Sequence, residues 1–223
     1  MKEVLDNITD IKSWISNILA DFNFDIVGFA TSKGNIIPLN LEPGTLGNII
    51  EGVLIAHISE KLEKAVNVKM VEGGNRYFPD IELTGELFKN KLIALDIKAA
   101  RRSKVNANRT QSRITLYTFG TYLKFQDKKF PQTIRPFNEY DYQLDLLAIF
   151  DVDQENNTVG NFDLIIAEPW KIASKTASSA TRDYVGAIME IDKMKKEEGG
   201  AFASADEFYS YWGGIPRRGQ KKL

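Results

Sequence analysis

Two short segments carry the side chains with the most chemistry to offer. They are Arg76-Tyr77-Phe78-Pro79-Asp80-Ile81-Glu82-Leu83 and Leu92-Ile93-Ala94-Leu95-Asp96-Ile97-Lys98. In the second, an apolar run is interrupted by Asp96 and Lys98, two positions apart. Side chains at i and i+2 point to the same side of a strand, so an anion and a cation emerge together. Burying either charge without a partner costs several kcal/mol. Two carboxylates, Asp80 and Asp96, with the main-chain carbonyl of Ile97, form a hard oxygen site suited to Mg²⁺, with Mn²⁺ able to substitute. Lys98 beside such a site has two uses: stabilising negative charge on a phosphorus centre, or helping to deprotonate an attacking water. The same spacing also fits a solvated ion pair at a strand end, and short motifs of this kind recur by chance.

Positioning these groups requires a reversal between the two segments. Pro79 removes a ladder donor just before Asp80, as at a strand edge or bulge. The polar stretch Thr84–Lys91, with Gly85, is consistent with a turn, and a hairpin there brings Asp80 close to Asp96. A third carboxylate precedes them. Thr45 can cap a helix running to about Ala65, on which Glu51 shares a face with Ile55, Ile58 and Leu62. A glutamate on an apolar face calls for a partner, which a metal or Lys98 would supply; snorkelling from the edge of the stripe is the alternative. His57 sits ~240° round that helix from Glu51, at ~100° per residue, and is given no role.

Composition narrows the chemistry further. The chain has 223 residues, 43% hydrophobic and 26% charged, as expected of a globular domain with a full core. There are no cysteines and one histidine, which excludes thiol chemistry, disulfides and cysteine- or histidine-rich metal centres. A cytoplasmic location follows. The longest apolar runs, such as Leu144–Phe150, are too short to cross a bilayer, and the N-terminus lacks the pattern of a signal peptide. The net charge of −1 and pI near 6.0 do not announce a nucleic-acid binder, so clusters of charge matter more than the sum.

Along the chain, Val4 to Phe22 reads as an amphipathic helix. Asp25–Ala30 and Asn35–Leu39 flank a turn at Thr31-Ser32-Lys33-Gly34. Strands are expected at Val66–Val71, Tyr77–Leu83, Leu92–Ala99, Arg113–Gly120, Tyr142–Val152 and Phe162–Ile172. Helices are expected at Asp183–Lys196 and Ala205–Trp212, with a basic tail from Pro216. No repeat or linker is evident, and residues 1–223 read as one α/β domain.

The order of a helix glutamate, Pro-Asp and then Asp-Ile-Lys resembles the PD-(D/E)XK nucleases, and within them the EcoRV-like type II restriction endonucleases. The likeness extends through Asn35-Ile36-Ile37-Pro38-Leu39, Ile49-Ile50-Glu51 and Tyr77-Phe78-Pro79-Asp80 to Ala94-Leu95-Asp96-Ile97-Lys98. Beyond these lie Thr115-Leu116-Tyr117-Thr118-Phe119, Arg135-Pro136-Phe137, Trp170-Lys171-Ile172-Ala173 and Asp206-Glu207-Phe208-Tyr209-Ser210-Tyr211-Trp212. The resemblance implies a restriction-endonuclease-like fold, a central mixed β-sheet flanked by helices. It implies a homodimer on a palindromic double-stranded DNA site and Mg²⁺-dependent hydrolysis leaving blunt, 5′-phosphorylated ends. It also implies a bacterial cytoplasmic enzyme, with a DNA methyltransferase as functional counterpart. Carried over by position, Asp80 and Asp96 are metal ligands, Lys98 is the catalytic lysine and Glu51 the auxiliary carboxylate, itself a possible ligand.

DNA contacts follow from the same resemblance. The family reads bases with a Gly-Ser-Gly-Asn-Thr loop, where this chain has Ser178-Ser179-Ala180-Thr181-Arg182. The recognition sequence is therefore not transferable, although Arg182 suits a bidentate guanine contact and Ser179 or Thr181 suits either base class, with Ser178 in the same DNA-binding loop. Residues 72–76 stand at the family's minor-groove loop, where Asn75 and Arg76 would probe the groove. Arg101, Arg102, Lys104, Arg109 and Arg113 form the densest basic cluster and suit phosphate contacts. A plain surface loop, an ordinary turn and a solvated charged face are the respective alternatives. Ala99 and Ala100 follow Lys98 where the family has hydroxyl residues. Two other functions remain open at this point: a structure-specific repair nuclease, and a DNA-binding protein that keeps the fold without catalysis.

Overall fold

The computed structural model describes residues 4–23, 25–39, 42–74, 77–117, 120–179 and 184–214. The first helix, α1 (Ile8–Ile18), begins where the Asn7 side chain accepts the Asp10 N–H at 3.0 Å, satisfying a donor that the first turn leaves unpaired. It buries Ile11 and Ile15. A short hairpin follows, β1 (Gly28–Ala30) and β2 (Ile36–Pro38), then the long α2 (Pro43–Leu62). Next come β3 (Lys69–Glu72), β4 (Ile81–Thr84), β5 (Ile93–Arg101), β6 (Thr115–Tyr117), α3 (Gly120–Lys124) and the long pair β7 (Tyr142–Asp153) and β8 (Thr158–Ala167). The chain continues through α4 (Pro169–Ile172), β9 (Val185–Gly186), α5 (Ile191–Lys196) and α6 (Ala205–Gly214).

Five strands form the central sheet in the order β3-β4-β5-β7-β8. β5 and β7 run parallel, and the other neighbours are antiparallel. The mixed α/β architecture is thus the expected one. β5 reads as apolar almost throughout because both faces of the sheet are covered. Leu95 and Ile97, with Leu144, Leu146 and Ala148 of β7, pack with Ile11, Ile15, Leu54 and Ile58 of α1 and α2. The alternate residues Ala94, Leu147 and Ile149 join a second core with Tyr117, Phe137, Phe208 and Trp212. Each buried Leu or Ile contributes about 1.5–3 kcal/mol, and this two-sided burial fixes which side chains of β5 face which way.

Several boundaries differ from the sequence expectation. The Phe162–Ile172 strand starts earlier, at Thr158, and stops at Ala167, because Pro169 opens a helix. Among the described residues of the expected helix Asp183–Lys196, only Ile191–Lys196 are helical. Val185 and Gly186 instead pair with β6, and Val185 is fully buried, so tertiary pairing overrides helical periodicity here. Of the expected Arg113–Gly120 strand, the described residues form a strand at Thr115–Tyr117, and Gly120 belongs to α3. The Tyr77–Leu83 strand begins only at Ile81, after a cis Phe78–Pro79 peptide. The basic tail from Pro216 lies outside the described residues. Among those described, no helix is long and apolar enough to cross a membrane.

Candidate active site

β4 and β5 are the hairpin arms required to bring the two carboxylates together. Their ladder ends at Ile81↔Leu95, and the same register carried one step further faces Asp80 toward Asp96. Instead of a further rung, the Asp80 carboxylate accepts the main-chain N–H of Ile97 at 2.6 Å. In a strand the N–H and C=O of one residue point to the same edge, so the Ile97 carbonyl faces Asp80 as well. Asp96 is buried and forms an ion pair with Lys98, whose side chain is 22% exposed. These three residues and the Ile97 main chain therefore meet where β4 gives out and β5 continues.

Local contacts hold Asp80 in place. The Gly73 N–H donates to the Asp80 carbonyl at 2.8 Å. A Cβ on Gly73 would lie 2.4 Å from the Pro79 carbonyl oxygen, so this close approach requires glycine. One rung below, Glu82 is 1% exposed. It receives Arg135 Nε at 2.6 Å and Nη2 at 3.0 Å, and the Tyr140 hydroxyl at 3.2 Å. That bidentate pair gives Glu82 a structural partner and separates it from the acids above.

The electrostatics show too much negative charge for one lysine. Burial, reinforced by the charges of Asp96 and Glu51, pushes the Asp80 carboxyl up to about 9, against the opposing pull of Lys98 and the Ile97 N–H. Burial also raises Glu51, with Asp96 adding to the shift and Lys98 opposing it. For Lys98, burial works to lower the value, but Asp96, Asp80 and Asp145 outweigh it and hold the ammonium above its ordinary range. A divalent cation would supply the missing positive charge. Among the described residues no three acid side chains are gathered to cage an ion. The donors that fit are two carboxylates and a carbonyl completed by water, the sparse set that Mg²⁺ accepts.

One acid at this centre was not singled out in the sequence. Asp145 of β7 lies in register with Asp96 and is fully buried, and neither carboxylate oxygen has a hydrogen-bond partner. Burial first, then the charge of Asp96, pushes it well above the ordinary carboxylate range. Burial and the charge of Asp145 raise the Tyr117 and Tyr209 hydroxyls beside it. The signal was present: Leu144–Phe150, read above as an apolar run, contains this aspartate.

Among the described residues, the other candidates are Glu51, which neighbours this centre, and a set of basic and hydroxyl side chains with partners of their own. Glu51 is half-buried on α2, within electrostatic reach of Lys98, Asp96 and Asp80. The Arg102 side chain is 11% exposed and bonds Asp151 at 3.1 Å and Asp163 at 2.7 Å, tying β5 to β7 and β8. Arg113 donates to the Ala187 carbonyl and to Ser174, and Arg101 is half-buried on β5. Lys104 bonds Gln154, and Arg109, 43% exposed, pairs with Glu190. Ser178 shares a 2.6 Å hydrogen bond with Thr115, and Ser179 is half-buried. Asn75, Arg76, Thr181 and Arg182 lie outside the described residues.

Known proteins resemble the chain in both sequence and fold. The chain is 25% identical over 228 residues to the type II restriction enzyme EcoRV of Escherichia coli, covering 94% of this chain and 91% of that protein. Its fold is similar to that of the NlaIV restriction endonuclease, with a TM-score of 0.53 and 16% identity, covering 90% of this chain and 77% of the other. The pattern of the family "Restriction endonuclease EcoRV" matches residues 20–222. With the match spanning most of its length, the chain belongs to the EcoRV restriction endonuclease family.

Proposed function

We propose that this chain is a type II site-specific deoxyribonuclease that hydrolyses phosphodiester bonds in a short palindromic duplex with Mg²⁺, leaving blunt ends with 5′-phosphates. The observation that carries the reading is the meeting of Asp80, Asp96, Lys98 and the Ile97 main chain at one strand end, in a chain of this family. Asp80, Asp96 and the Ile97 carbonyl would hold the cation, with Glu51 nearby and Mn²⁺ able to replace Mg²⁺. When bound, the metal polarises a phosphate oxygen and acidifies a water. Lys98 presents its ammonium to the phosphate and stabilises charge gathering on the non-bridging oxygens. Its ion pair with Asp96 supports this role over that of a base.

The partners follow from the same reading. Phe29, Ile36 and Ile37 of the β1–β2 hairpin are 49%, 55% and 54% exposed. They adjoin a groove of about 880 Å³ that includes Phe29 and, on α2, Ile49 and Val53. An apolar surface of this kind supports a homodimer, in which each copy cuts one strand. Phosphate contacts fall to Lys104 and Arg109, whose side chains retain open surface, with Arg101, Arg102 and Arg113 as scaffold beneath them. Base reading falls to residues 178–182, and groove contact to 75 and 76. In this proposal residues 1–223 form one domain, acting in the bacterial cytoplasm beside a DNA methyltransferase that protects the host's own sites.

Digestion of a sequenced plasmid with the purified protein and Mg²⁺, with a chelator control, tests the proposal. Discrete fragments with flush, 5′-phosphorylated ends are expected. Cutting confined to nicks, mismatches or junctions would point to a structure-specific nuclease, and binding without cutting to a non-catalytic DNA-binding protein.

A further inference from the structure

Asp145 has no evident reason to be an aspartate on grounds of stability. It lies in the middle of a core strand, between Leu144 and Leu146, fully buried and with both oxygens unpartnered. Such a group costs a fold several kcal/mol, and an apolar side chain of similar size would avoid that cost. Its surroundings explain its place better than its strand does. The parallel register sets Asp96 opposite Asp145 and Lys98 opposite Leu147. Neighbouring strands are ~4.8 Å apart, and in-register residues point to the same face. Asp145 therefore stands on the face that carries Asp96 and Lys98, and its charge acts on both.

Lys98 is paired with Asp96, yet Asp96 is also one of the two carboxylates suited to hold a cation. An oxygen committed to a metal is a weaker acceptor for the lysine, whose ammonium must stay aimed at the phosphate. We infer that Asp145 is a positioning residue for Lys98, accepting a hydrogen bond from its ammonium and keeping that cation in place while Asp96 serves as an oxygen ligand. The inference rests on the nuclease reading above and names a residue which that reading does not use. A carboxyl group keeps an acceptor oxygen whether ionised or protonated, so the role holds in either state.

Asp145→Leu removes the acceptor and fills the space; Asp145→Asn keeps an acceptor oxygen in nearly the same shape. The Leu variant is expected to melt no lower than the unsubstituted protein and to bind duplex DNA with the same affinity. Its single-turnover cleavage at saturating DNA should be slower by about tenfold to a hundredfold, the scale of a misplaced catalytic group. The Asn variant should recover most of that rate. With Mg²⁺ bound and DNA absent, ¹⁵N relaxation of the Lys98 ammonium should show a looser side chain in Asp145→Leu and an unchanged one in Asp145→Asn. If the Leu variant does not fold, Asp145→Ala takes its place in the same measurements. A Leu or Ala variant that cuts at the unsubstituted rate, or an Asn variant that falls equally far, overturns the inference while the nuclease reading stands. An unsubstituted protein that does not cut overturns both.

Discussion

The Asp80 carboxylate and the Ile97 main chain are joined by a 2.6 Å hydrogen bond. One proposed ligand is thereby fastened to the strand that carries the other ligand and the lysine. Spacing between β4 and β5 thus sets the site, with Gly73 holding Asp80 in the connection that leads into β4.

Removing its members should abolish turnover without unfolding the protein. Asp96→Ala and Lys98→Ala are each expected to lower the cleavage rate by about a thousandfold, with the subunit state unchanged in analytical ultracentrifugation. Undiminished cutting by either variant would remove that residue from the chemistry.

Glu51, proposed to act from a distance, should show a different signature. Glu51→Gln is expected to raise the Mg²⁺ concentration for half-maximal cleavage by about tenfold and to leave the melting temperature essentially unchanged. A Mg²⁺ titration coinciding with that of the unsubstituted protein would deny it a part in metal binding.

The raised Asp80 carboxyl has consequences for pH. Its ordinary value is 3.8 and its folded value about 9. Between these values the unfolded chain is ionised there while the folded one holds a proton. Metal-free stability should therefore fall as pH rises through that window, the reverse of a salt-bridged carboxylate. Mg²⁺ requires the ionised form and should release a proton on binding. Thermal melts across pH, and calorimetry in buffers of different ionisation enthalpy, check the two halves; Asp80→Asn should reduce both, with Asp145 and Glu51 keeping part of the first.

Beneath the site, Arg135 neutralises the buried Glu82 through two hydrogen bonds. Arg135→Ala strands that carboxylate and should cost about 3 kcal/mol, read as a lower urea midpoint at unchanged slope. A loss within experimental error would mean that Tyr140 alone satisfies Glu82.

How much of this was legible in the sequence depends on how local the signal was. Asp96 and Lys98 declare themselves through strand alternation, and Pro79, Gly85 and the polar segment between foretell the hairpin that brings Asp80 to them. Asp145 does not, because its meaning comes from a parallel strand reached only after a long crossover. Val185 misleads for the same reason: its neighbours look helical, but its partner is Thr115–Tyr117 in a distant part of the chain. Ser178 and Arg102 looked like open DNA-facing groups, and only the folded chain supplies Thr115, Asp151 and Asp163 as their partners.

The register that sets Asp96 beside Asp145, and points Asp80 at Asp96, also divides the molecule by its tolerance of insertions. A single residue added within β4, β5 or β7 would turn one of these side chains to the opposite face of the sheet. Residues added between Arg102 and Asp141, or in the turn at Gln154–Asn157, leave the alignment untouched. The chain can thus vary in length around the sheet while the alignment of the proposed cutting centre is kept.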